Sequence, residues 1–99
     1  MRFRKAVYKR PIAKINRQVN RLMERDFGEY ASFKIDSVRE ECITDGDVEV
    51  FVKCAVGTPN GDFKQKDVML PQTIRVFDYK SASAFLFGCF LEDLDKMVK

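Results

Sequence analysis

Residues 47–71, DVEVFVKCAVGTPNGDFKQKDVMLP, decide the fold. Val48, Val50, Val52, Cys54 and Val56 alternate with Glu49, Phe51, Lys53 and Ala55, the period-2 pattern of a half-buried strand. Thr58-Pro59-Asn60-Gly61 follows as a turn. Proline presets φ at its second position, asparagine tolerates the third, and glycine takes the left-handed conformation that closes a three-residue hairpin loop. With Thr58 facing Asp62, Val52 falls opposite Val68 and Val50 opposite Leu70 on one face, and Lys53 opposite Asp67 on the other. Apolar side chains meet apolar ones and opposite charges meet, as cross-strand pairing favours.

Upstream, residues 30–44 are extended but out of phase. Ala31, Phe33 and Ile35 alternate with Ser32, Lys34 and Asp36, and the alternation then breaks at residues 37–40. No single register places Phe33, Ile35, Val38 and Ile43 all on the valine face, which predicts a bulge or a break near residues 37–39. Asp45-Gly46 is the turn signal leading into Val48. Downstream, Pro71 ends the hairpin's second strand, because proline cannot donate to the ladder. Thr73-Ile74-Arg75-Val76-Phe77 reads as a short fourth strand or a continuation of the third.

Helical periodicity flanks this sheet. Pro11 suits a first turn and Gly28 a stop, so a helix is expected over 11–27. Ile12, Ile15, Val19, Leu22, Met23 and Phe27 share one side of it, while Arg10, Lys14, Arg17, Arg21 and Arg25 gather on the other within roughly 80°. A second helix is expected over 83–98, capped by Ser81 or Ser83, with Phe87, Phe90, Leu91, Leu94, Met97 and Val98 as its core stripe. Phe85 and Cys89 fall on its far side, so this helix needs cover beyond its own sheet, from the N-terminal arm or from a second protomer. The fold class is therefore α+β: a three- to four-stranded antiparallel meander with an N-terminal amphipathic basic helix and a C-terminal apolar helix. The 99 residues form a single domain, with 1–10 as a basic arm, edge strand or extra helical turn.

The order α-β-β-β-α resembles that of double-stranded-RNA-binding domains, but the resemblance stops at topology. Where that family carries a lysine cluster at the start of its last helix, this chain has Lys80-Ser81-Ala82-Ser83-Ala84, with one lysine, and the family's Gly-Pro-rich hairpin signature is missing. Topology alone assigns no function.

Charge is more informative. The net +3 is unevenly spread: residues 1–25 carry nine Lys/Arg against Glu24 alone, a balance of +8, and the remainder carries −5. Arg10, Lys14, Arg17, Arg21 and Arg25, with Arg2, Arg4 and Lys5 as an arm, are the candidate phosphate contacts. Phe3, Tyr8, Phe51 and Phe63 are candidate stacking partners for bases. The competing reading is a solvated helix face balanced by Glu92, Asp93 and Asp95. Phe85 and Cys89 are the candidate interface of a homodimer or of a docked partner.

Catalysis finds little support. Without histidine there is no Cys-His or Ser-His pair, and Cys42, Cys54 and Cys89 lack metal-ligand spacing, so neither cofactor nor metal is expected. Asp62-Phe63-Lys64, with Asp47 or Glu49 upstream, matches a nuclease fragment that is common by chance, and residues 57–61 lack the Lys-Ser/Thr of a phosphate-binding loop. An odd cysteine count implies a reducing, cytoplasmic compartment. No signal-peptide core follows the basic N-terminus, and no apolar run approaches the ~20 residues that span a bilayer. The expectation is a small non-enzymatic nucleic-acid-binding accessory protein, with a module that docks on an acidic protein surface as the alternative.

Overall fold

The computed structural model describes residues 5–28, 31–44 and 47–98. Helix α1 (Lys5–Phe27) leads into strands β1 (Ser32–Thr44), β2 (Asp47–Gly57) and β3 (Phe63–Met69), and helix α2 (Tyr79–Val98) closes the chain. The strands form one antiparallel sheet in the order β1-β2-β3. Both helices pack on the same face of it. Phe90 of α2 meets Phe33 of β1 edge to face at 6.0 Å, and Phe87 meets Phe27 of α1 at 6.3 Å. Lys14 lies over Tyr79 in the first turn of α2 and Phe27 beside Phe87 two turns on, so the two helices run in the same direction.

The central hairpin has the expected register: Val52 pairs with Val68 and Lys53 with Asp67, and the Leu70 amide donates to the Val50 carbonyl at 2.9 Å. At the tip, the Thr58 amide donates to the Asp62 carbonyl at 2.9 Å and Gly61 adopts φ 97°, a conformation that suits glycine. The phase break in β1 is a bulge between Ile35 and Ser37 that leaves Asp36 unpaired. Its physical result is a change of parity. Phe33 and Ile35 before it and Val38 after it all reach the core, which an unbroken strand forbids. A second register shift lies between Cys42 and Thr44, and the expected Asp45-Gly46 turn lies outside the described residues.

Three expectations are corrected. First, α1 does not begin at Pro11 but at Lys5, so Pro11 sits inside the helix. A proline there removes the hydrogen bond to the carbonyl four residues back, at a cost of about 3 kcal/mol. The turn before it is held by Tyr8, only 4 % exposed, whose ring stacks on Phe77 at 5.8 Å and whose hydroxyl donates to Glu40. Second, residues 73–77 form no strand. The Ile74 amide donates to the Pro71 carbonyl and the Asp78 amide to Arg75, which makes two successive turns that drop Val76 into the core. Third, α2 starts at Tyr79, and its cap is Asp78 rather than Ser81 or Ser83: the Asp78 Oδ1 accepts the Ser81 amide at 3.4 Å.

Candidate nucleic-acid interface

The rotation of α1 about its own axis determines what it shows to solvent. Ile15, Val19 and Met23 are fully buried and draw one face onto the sheet. Two asparagines then lock that rotation. Asn20 Nδ2 donates to the Phe33 carbonyl at 2.9 Å, its Oδ1 accepts the Phe33 amide at 2.9 Å, and Asn16 Oδ1 accepts the Ile35 amide at 2.9 Å. These backbone groups belong to the outer edge of β1, so at Phe33 and Ile35 α1 takes the place of a neighbouring strand. Read from sequence, Asn16 and Asn20 are only polar positions on a helix. Nothing in their spacing marks them as strand partners.

With the rotation locked, Arg10, Lys14, Arg17, Arg21 and Arg25 are all exposed, and Lys9 is a further exposed base on the flank of the helix. From Arg10 to Arg25 the axial rise is about 22 Å, the length of roughly six nucleotide steps along one strand of B-form DNA. Among the described residues Arg10, Arg17 and Arg21 make no ion pair. Lys14 holds its ammonium 4.7 Å from the centroid of the Tyr79 ring, and Lys80, next in the chain, is a further exposed base. Arg25 differs: its guanidinium pairs with Asp26 at 2.9 Å, and that hydrogen bond holds the Asp26 carboxyl below its ordinary range. Of the acids on α2 offered as internal balance, Asp93 pairs with Lys66 of β3 at 2.8 Å. Arg2, Phe3 and Arg4 lie outside the described residues, as does the side chain of Lys5.

The aromatic candidates do not converge. Tyr8 is corrected outright, since its buried ring is stacked on Phe77 and has no face left for a base. Phe51 and Phe63 share the helix-free face of the sheet, but Phe51 lies opposite Met69 and Phe63 opposite Gly57. Six residues of β3 separate the two positions, about 20 Å at the rise of a strand. Phe51 is also covered by Arg39, whose guanidinium sits 4.6 Å from the ring centroid and grips Asp67 with both nitrogens at 2.8 and 2.6 Å. That fork holds the Asp67 carboxyl below its usual value. Phe85 and Cys89 are half-buried against the core on the β3 side of α2, where Lys66 donates to the Cys89 carbonyl at 2.6 Å.

An open cleft of about 430 Å³ lies at the end where α1 and α2 begin, walled by Val48, Val50, Leu70, Ile74 and Phe77. Of its lining side chains among the described residues, only Tyr8 and Arg75 are ionisable. Among the described residues no group of three or more His, Cys, Asp or Glu could hold a metal ion, and no helix is long and apolar enough to cross a membrane. Burial pushes the Cys54 thiol up to about 12, so it is a packed side chain rather than a nucleophile. Comparison with protein-family models, curated proteins and solved structures finds no match.

Proposed function

We propose that this protein is a small non-enzymatic nucleic-acid-binding accessory protein that grips phosphates along α1. The observation that carries the reading is the exposed, unpaired row Arg10, Arg17 and Arg21, completed by Lys14 and fixed in orientation by the asparagine clamp. Bases three or four residues apart on a helix repel one another by a few tenths of a kcal/mol per pair. A polyanion converts that repulsion into attraction. Of the three amide side chains on α1, Asn16 and Asn20 are spent on the β1 backbone and Gln18 alone is left to reach a base, which favours binding with little sequence preference.

Fluorescence anisotropy with labelled single-stranded DNA, duplex DNA and RNA tests the reading. Four phosphate contacts give a log–log salt slope of about −3 to −4, steeper on a duplex than on a single strand. Arg17→Gln and Arg21→Gln should each flatten that slope by about one and weaken all sequences alike. Absence of binding at low salt, or binding untouched by Arg17→Glu/Arg21→Glu in a folded protein, refutes it. Retained nucleic-acid behaviour with loss of an acidic protein partner would move the assignment to protein docking.

A further inference from the structure

The two outer edges of the sheet are treated differently. Asn16 and Asn20 pair with the Phe33 and Ile35 backbone at the edge of β1, whereas β3 has no neighbour beyond it along its whole length among the described residues. Its hydrogen-bonding pattern identifies the groups left over. The Leu70 amide donates to Val50 and the Asp62 carbonyl accepts from Thr58, so antiparallel alternation turns the backbone groups of residues 62, 64, 66, 68 and 70 toward β2. The amides and carbonyls of Phe63, Gln65, Asp67 and Met69 therefore point outward. Their side chains stand on the helix-free face, where Phe63 is 67 % exposed and Met69 47 %.

Unprotected edges are usually guarded by charge or proline. Here the one charged side chain of the four, Asp67, is neutralised by Arg39, and Gln65 is tied to Asp36 at 3.0 Å. The two lysines of the strand stand on the helix side, where Lys66 meets Asp93 and the Cys89 carbonyl, and Lys64 is the one charge of the strand left exposed without an ion pair among the described residues.

We infer that β3 pairs with the β3 of a second copy of this chain across a two-fold axis, giving a continuous six-stranded antiparallel sheet. The occupant follows from self-complementarity. A two-fold ladder that uses the outward groups can be centred on Gln65, Lys66 or Asp67. Centring on Asp67 carries Phe63 past the strand to the partner's Pro71, which has no amide to donate, and centring on Gln65 carries Met69 past the strand to the partner's Gly61. Only the register centred on Lys66 employs all four outward residues. It sets Phe63 against the partner's Met69 and Gln65 against the partner's Asp67, each pair occurring twice, and Lys66 against the partner's Lys66 on the helix side, where each ammonium is held by the Asp93 of its own chain. The two exposed apolar side chains thereby cover each other, and four pairs exchange two backbone hydrogen bonds each. The interface is isologous, as closed dimers require. It leaves the basic row of α1, at the opposite edge, free on both protomers, so it stands whether or not the chain binds nucleic acid.

Sedimentation velocity and light scattering on the full chain test the inference. The native protein should sediment as a dimer that dissociates on dilution. Phe63→Lys/Met69→Lys sets like charges opposite each other at both ends of the ladder and should weaken dimerisation about tenfold or more. Phe63→Lys/Met69→Glu, which restores opposite charges in this register alone, should recover it. Gln65→Pro removes an outward amide without touching the β2 ladder and should also give monomer. Circular dichroism confirms that each variant is folded. Should Gln65→Pro fail to fold, the two charge variants decide. A monomeric native protein, a dimer that survives a folded disrupting variant, or a Phe63→Lys/Met69→Glu protein as monomeric as the double lysine overturns the inference.

Discussion

Asn20 of α1 and Phe33 of β1 exchange two hydrogen bonds, one through each end of the side-chain amide, both 2.9 Å long. A helix side chain thus completes the backbone pairing of an edge strand. The same contact sets the angle at which the basic row faces outward.

Asn20→Ala leaves the Phe33 amide and carbonyl, both part-buried, without partners. The gain in helix propensity, about 0.6 kcal/mol, offsets little of it, and a net loss of about 2 kcal/mol is expected from urea denaturation. Amide exchange gives the local view. Phe33 and Ile35 should be protected in the native protein although β1 is an edge strand, and Asn20→Ala should release Phe33 first.

Ser83 gives the opposite sign. Its hydroxyl is fully buried on α2 and has no hydrogen-bond partner among the described residues. Ser83→Ala removes the unsatisfied group and improves helix propensity, so stability should rise by about 1 kcal/mol and Tm with it. Ser83→Val, which adds volume at the same buried point, should lower it by about 1–3 kcal/mol.

The Arg39–Asp67 fork makes an acid-side prediction. Because the hydrogen bond from Arg39 depresses the folded-state pKa of Asp67, the associated stability is present above the ordinary carboxylate value and lost as pH falls through the lower, folded value. Arg39→Gln should return the Asp67 titration, followed by carboxyl NMR, toward its ordinary position. Arg39→Lys should restore only part of the shift, since an ammonium cannot grip both oxygens in a fork. The Asp67 side chain is 44 % exposed, so the accompanying loss of stability should stay below about 1 kcal/mol.

Cys54 makes the alkaline counterpart. Its thiol is raised by burial from 9.0 to about 12, so its contribution is complete below pH 9 and is lost progressively as pH rises toward 12. The native protein should lose Tm across that window more steeply than Cys54→Ala. With a thiol reagent at pH 8, exposed Cys42 should react at once and Cys54 only on unfolding.

The features legible in the sequence are those in which neighbours along the chain decide the outcome. The hairpin register follows from three loop residues and a period-2 pattern, and the β1 bulge from the parity conflict between Ile35 and Val38. The outward basic row follows from the apolar stripe on the other side of α1.

Tertiary structure alone decided the rest. Pro11 lies inside a helix because Tyr8 is anchored by Phe77 and Glu40, both far away in the chain. Residues 73–77 turn instead of extending because the chain must pass from β3 to α2 while burying Val76. Asn16, Asn20, Arg39 and Lys66 take their roles from backbone or charge brought within reach only when the elements dock. Periodicity records which face of an element is removed from water. It carries no information on which polar group a distant element will present there, because hydrogen bonds depend on position to within a few tenths of an ångström and burial does not.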